Sequence, residues 1–113
     1  MAEIIDIGKD FYHRLANRNK KQGDGKHTAV EFFNKYVEKF CNHDLWMADL
    51  SDDPFITFDF LNVKRISPGF ANEAFCPLLE FATTEKIMEK IKIVNATDIQ
   101  VYIIKFELEE SEV

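Results

Sequence analysis

Ser67 is the residue whose setting comes nearest to chemistry. It stands directly before Pro68 in a stretch, residues 55–75, that reads FITFDFLNVKRISPGFANEAF. Serine is a favoured helix N-cap, and proline suits the first helical position because the N–H it lacks would be unpaired there. The pattern predicts a buried strand, a tight turn and a helix that opens just after Ser67, with a hydroxyl at the positive end of the helix. In open α/β sheets, ligands bind in the space beyond the carboxyl ends of the strands. A phosphate on such a hydroxyl would add about 1.5–2 negative charges, stabilising the helix start and either repelling an acidic partner or recruiting an arginine. The alternative is a plain cap, worth about 1 kcal/mol. Asp59 ends the predicted strand: it is either a carboxylate satisfied by backbone N–H groups or an acceptor that shapes the loop or meets a partner. Glu73 has the same two readings, a solvated carboxylate favoured by the helix dipole or a contact for a partner's basic residues.

Other chemistries find little purchase. The chain has no glycine-rich phosphate loop ending in Lys-Ser/Thr and no dinucleotide fingerprint, and Gly23-Asp24-Gly25-Lys26 is too short to serve as either. No serine has the flanking glycines of a nucleophile elbow. A triad of Ser67, a histidine and Asp59 would need one of the histidines to fold back onto the strand end. His13, His27 and His43 show no ligand spacing, so no metal is expected. Cys41 and Cys76 match no metal or redox pattern and read as reduced, mostly buried thiols. Asp52 and Asp53 are neighbours whose side chains diverge in extended backbone, which makes them a polar loop. With no base–nucleophile pair to name, neither enzymatic activity nor a cofactor is expected.

Charge offers a second reading. The net charge of −6 argues against general nucleic-acid binding. The charge is uneven, because residues 9–27 hold Lys9, Arg14, Arg18, Lys20, Lys21 and Lys26 against Asp10 and Asp24, while the C-terminus holds Glu107, Glu109, Glu110 and Glu112. Both stretches read either as solvated surface or, at the N-terminal side, as a basic loop for an acidic partner or an anion. A nucleotide- or anion-binding domain would use Lys9, Arg14, Arg18 and Lys26 with the helix amides near Ser67.

The elements that must position these residues follow from hydropathy and capping. At 113 residues, with eleven phenylalanines, the chain suits one domain with one core. No apolar run approaches the ~20 residues of a membrane span. Glu3 and Asp6 interrupt any signal-peptide layout, so a cytoplasmic protein is expected. Ile4, Ile5 and Ile7 predict a first strand closed by Gly8, and residues 9–27 read as loop. Thr28 with Glu31 forms a capping box for a helix whose stripe is Val30, Phe33, Val37 and Phe40, ending near Asn42. Trp46 and Met47 fall in an acidic connector as a plug onto the core or an exposed contact patch. Residues 55–61 form the central strand, and the helix after Ser67 buries Phe70, Ala71, Ala74, Phe75 and Leu78, with Pro77 stopping or kinking it. A helical turn over 84–89 leads to a strand at 91–94. Thr97 with Gln100 starts a last helix, although the alternation of Ile104, Phe106 and Leu108 with charges also fits a strand. Helices between strands imply an α/β fold: a small mixed sheet packed with helices, one sheet face partly open.

Three pieces, in this order, resemble a bacterial family described as the STAS-like domain of unknown function. They are Ile7-Gly8-Lys9-Asp10-Phe11, with Arg18 and the glycine-containing loop behind it; Phe58-Asp59-Phe60, with Val63 downstream; and Gly69-Phe70-Ala71-Asn72-Glu73-Ala74-Phe75. The resemblance implies a single STAS-like domain over residues 1–113. In the wider superfamily, anti-sigma factor antagonists carry Asp-Ser-Ser-Gly at the helix start after a central strand, and a partner kinase that is also the anti-sigma factor phosphorylates the first serine. The matching stretch here is Ile66-Ser67-Pro68-Gly69: Ser67 falls on the acceptor position, Ile66 replaces the aspartate and Pro68 the second serine. The resemblance thus implies a regulatory protein-interaction module without catalysis, its contact surface formed by Asp59, Ser67, Gly69, Phe70 and Glu73. It further implies a protein partner such as an ATP-binding kinase-like or sigma-pathway protein, while the net charge and the lack of a long apolar run leave no nucleic-acid or membrane partner expected.

Overall fold

Ile56 and Phe58 alternate with Thr57 and Asp59 in a segment rich in β-favouring side chains, and this segment is the centre of the fold. The computed structural model describes residues 3–16, 27–48 and 51–112. Strand β3 (Ile56–Asp59) lies between β1 (Glu3–Asp6) and β5 (Ile91–Val94), with both pairings parallel. The register sets Ile5, Phe58 and Ile93 side by side, and Asp6, Asp59 and Val94 at the carboxyl edge. A second, two-stranded parallel sheet joins β2 (Arg14–Leu15) to β4 (Arg65–Ile66). The α/β architecture expected from the sequence is the one observed. Its strands are divided between two small sheets, and every pairing among the described residues is parallel rather than mixed, because helical segments carry the chain back to the same end between paired strands.

Phe58 and Ile56 face a helical layer and meet an aromatic cluster there. Phe32 is the hub, with ring centroids 5.3 Å from Phe58, 5.5 Å from Phe70 and 5.7 Å from Phe75 in edge-on geometry. The opposite face, carrying Ile4, Thr57 and Lys92 in register, leaves Ile4 69% exposed, so one sheet face is partly open as expected.

Local signals explain the helices. The first strand stops at Asp6 rather than including Ile7, because the Asp6 carboxylate accepts from the Lys9 N–H (3.1 Å) and caps a one-turn helix, α1 (Ile7–Asp10). Gly8 is required there: a Cβ would collide with the backbone of Asn62. The stretch expected as loop contains α1 and β2, whose backbone pairing to β4 no local pattern announces. Thr28 caps α2 (Ala29–Phe32) by accepting from the Glu31 N–H at 3.2 Å. The chain then widens into a π-turn at Phe33–Val37 and tightens at Glu38–Phe40. Of the expected stripe, Val37 and Phe40 are buried and Phe33 packs against the core, whereas Val30, in the first turn, is 40% exposed and Phe32 and Tyr36 go inward instead. Asn42 caps a further helix, α3 (His43–Ala48), inside the stretch expected as connector. Trp46 is the plug, its indole N–H donating to the Phe40 carbonyl at 2.7 Å, and Met47 is exposed.

Ser67 opens α4 (Pro68–Phe75), and Pro77 ends it in a tighter turn at Cys76–Glu80. Thr83 caps α5 (Thr84–Lys90), and Thr97 with Gln100 forms both halves of a capping box for α6 (Asp98–Ser111). The helix prevails over the strand pattern because the Gln100 side chain also donates to the Val63 carbonyl and Ile104 and Leu108 share the buried face one turn apart. No helix among the described residues is long and apolar enough to cross a membrane.

Candidate functional site

Ile66 is buried and Ser67 follows in extended backbone, so the serine emerges on the outer side of the small sheet. Its N–H donates to the Leu15 carbonyl (2.8 Å), continuing the β2–β4 ladder. Its hydroxyl accepts from the Phe70 N–H (3.1 Å) and donates to the Ala16 carbonyl (2.9 Å). The hydroxyl therefore serves two backbones at once, capping α4 and locking the end of β2 onto it. It is half-buried in this position.

The helix behind it is mostly internal. Phe70 is fully buried, with its ring against Phe32 and Phe11, so it holds α4 to the core and offers no outer contact. Ala71, Ala74 and Phe75 are buried beside it. Gly69 is half-buried, and Pro68 and Glu73 are exposed. Of the five residues expected in a contact surface, Glu73 alone is exposed, whereas Phe70 belongs to the core.

Asp59 is half-buried at the carboxyl edge of the main sheet and accepts from the Leu61 N–H (2.9 Å) and the Asn95 side chain (3.0 Å). The Asn95 donor and then the Leu61 amide hold its carboxyl below the usual aspartate range. Its register neighbour Asp6 accepts from Asn62 at 3.0 Å as well as from the Lys9 amide. The two carboxylates thus anchor the turns at 61–62 and at Asn95, which takes a positive φ of 58°. Among the described residues no group of three or more His, Cys, Asp or Glu side chains stands together to hold a metal ion. Both cysteines are free and half-buried, and burial raises their thiol pKa values.

Of the four cations expected at an anion site, Lys9 is exposed on α1 and Arg14 on β2. Arg18 and Lys26 lie outside the described residues, as do Lys20, Lys21 and the Gly23-Asp24-Gly25 loop. The structure adds a cation that sequence reasoning passed over. Arg65 pairs in register with Arg14, and both side chains are exposed. The signal was the repeated cation-then-apolar dipeptide, Arg14-Leu15 and Arg65-Ile66.

A second feature not singled out is the outer face of α6. Ile99 is 71% exposed, Tyr102 63% and Phe106 40%, and the last two rings stack at 5.6 Å. The three lie three and four residues apart, hence on one stripe. Exposed Asp98, Glu109 and Glu110 border it, together with Lys105. The other side of α6 is tied to α4, where the Asn72 amide donates to Glu107 (3.4 Å) and Ser111 (3.2 Å).

Residues 48–100 match the family model described as a STAS-like domain of unknown function. That segment holds the central strand, the Ser67 turn, α4, α5, β5 and the start of α6. The STAS-like resemblance is therefore shown for this segment, and the motif at residues 7–11 lies before it. None of the curated proteins and none of the solved structures matches the chain.

Proposed function

We propose that this chain is a regulatory module that acts by binding a protein partner, in the cytoplasm of a bacterium, and performs no catalysis of its own. The observation that carries the reading is the outer face of α6, where three large apolar side chains stay in water although the neighbouring core is closed. Isolated exposed apolar residues are ordinary, but a contiguous stripe with a stacked ring pair marks a contact surface. Asp98, Glu109 and Glu110 outweigh Lys105 around it, so the partner presents an apolar patch rimmed by lysine or arginine. Exposed Glu73 on α4 adds to the same acidic character. The family resemblance points to an ATP-binding kinase-like or sigma-pathway protein as that partner.

Ser67 enters as the regulator of the adjoining loop. The proton of its hydroxyl and one of the two lone pairs are taken up by backbone, which supports a structural or switching role over a nucleophilic one. Phosphorylation would give up the bond to Ala16 and unlock β2 from β4. The test is affinity capture from the source cells with wild type, with the double variant Tyr102→Lys/Phe106→Lys and with Ser67→Asp, together with mass spectrometry of the Ser67 peptide. A partner lost with the double variant, whose melting is unchanged, supports the reading; equal capture by wild type and the double variant contradicts it. Loss with Ser67→Asp and a phosphorylated Ser67 peptide make the serine a switch.

A further inference from the structure

We propose that the cleft between α5 and α6 is a binding site for an alkylammonium group. Thr84, the first residue of α5, is 4% exposed, and its hydroxyl has no hydrogen-bond partner among the described residues. A buried hydroxyl left unpaired costs stability, and native structures keep few of them, so this one calls for a group from outside the chain. Thr84 lines a cleft of about 790 Å³, a size within the range of small-ligand sites. Met88 and Val101, both half-buried, give the cleft an apolar wall.

The chemistry of the ligand follows from the polar lining. Glu85 belongs to α5, Glu109 to α6, and Glu112 caps the end of α6. The Thr84 N–H donates to the Glu112 carboxylate (3.1 Å), which sets one negative charge beside the unpaired hydroxyl. The Glu85 and Glu109 carboxylates have no partner among the described residues. These three carboxylates face the single ammonium of Lys105, so the lining carries an excess of negative charge. The carboxylates do not converge on one point, since no three acidic side chains among the described residues stand together to hold a metal ion. An organic cation fits instead. An ammonium has three donors and no acceptor, which suits carboxylates and a hydroxyl oxygen, while its alkyl stem lies on Met88 and Val101. The hydroxyl is reached as Glu112, an exposed side chain, turns onto the incoming charge. The site adjoins the α6 stripe but does not rest on the partner-binding reading, because an amine binds here with no protein partner present.

The alkylammonium has two sources with the same chemistry, a free aliphatic amine or a lysine side chain of another protein, and the test separates them. The full chain is titrated with pentylamine, cadaverine and a short lysine peptide, with pentanol and the same peptide bearing acetyl-lysine as uncharged controls. The backbone amide signals of residues 83–88 and 101–112 are followed by NMR. The expected result is saturable shifts centred on these residues with the amines and none with the controls. The double variant Glu109→Gln/Glu112→Gln weakens amine binding by about tenfold. Thr84→Val also weakens it, yet raises the melting temperature of the free protein, because valine fills the same space without an unpaired hydroxyl. A threonine with a purely structural role would not show both effects. Tighter binding of cadaverine than of the lysine peptide identifies a free amine, and the reverse order a lysine side chain. Unchanged amide signals away from the cleft establish that the variants fold. No saturable shift with any amine, equal shifts with the uncharged controls, binding that survives the double variant unchanged, or a lower melting temperature for Thr84→Val overturns the proposal.

Discussion

Helices α4 and α6 lie against each other, and their apolar side chains have opposite fates. In α4 the large side chains Phe70 and Phe75 are both buried in the aromatic cluster. In α6, Ile104 and Leu108 complete the core, while Ile99, Tyr102 and Phe106 stay outside it. The difference teaches that apolar content alone does not locate a contact surface. What matters is which side of the helix meets the core: Phe70 and Phe75 of α4 pack on Phe32, whereas Ile99, Tyr102 and Phe106 lie on the side of α6 turned away from Ile104 and Leu108.

The sharpest way to break this contrast is to truncate one aromatic on each helix. Phe70→Ala should cost about 3–5 kcal/mol, since it empties a packed site between Phe32 and Phe11. Urea unfolding measures it, and a loss under ~1 kcal/mol would mean that Phe70 is not core in solution. Tyr102→Ala should change stability by no more than about 0.5 kcal/mol yet weaken partner binding by ~2 kcal/mol, as an exposed interface anchor does. A variant that loses stability but not binding would reverse the roles assigned to the two helices.

Ser67→Ala removes the cap and the tie to Ala16, and should cost about 1–2 kcal/mol. Ser67→Asp keeps a cap acceptor, so it should recover part of that loss. Equal stability of all three forms would show that the hydroxyl does not hold α4.

The smallest effect concerns pH. Hydrogen bonds from Asn95 and Leu61 lower the Asp59 pKa in the folded state below its unfolded value. The stability this contributes is therefore complete above the ordinary aspartate value of about 4 and is lost as the pH falls through the lower folded value. Asp59→Asn should flatten the acid side of the stability–pH curve, leaving Glu112, whose pKa is lowered by Thr84 at its carboxylate, as a source of residual slope. An unchanged acid limb would show that the Asp59 network is not formed in solution.

How much of this was legible in the sequence depends on the range of the interaction. The caps at Thr28, Ser67 and Thr97, the stop at Pro77 and the strands around Phe58 and Ile93 follow from neighbours a few residues away, and they were read from the chain. Strand β2 was not, because its two residues are fixed by a partner in β4 rather than by their own pattern. The Arg14–Arg65 pair was hidden for the same reason. Phe70 was read correctly as a core residue of its helix, but the family motif also put it in the contact surface, and one side chain cannot fill both places. The outer stripe of α6 is less legible: the helix starting at Thr97 was expected, but the alternation of Ile104, Phe106 and Leu108 with charges also fits a strand, which would put Phe106 on the same side as the two buried residues.

The most direct test of partner binding through α6 is site-specific photocrosslinking in the source cells, with a photoreactive phenylalanine analogue placed at Tyr102 or, as a control, at Met47. Met47 is the better exposed of the two, at 82% against 63%, but it stands outside the stripe. An adduct at position 102, absent at position 47, with the crosslinked partner peptide carrying lysine or arginine beside apolar residues, is the predicted result. No adduct at 102, or the same adducts at both positions, would contradict the assignment of the α6 face as the contact surface.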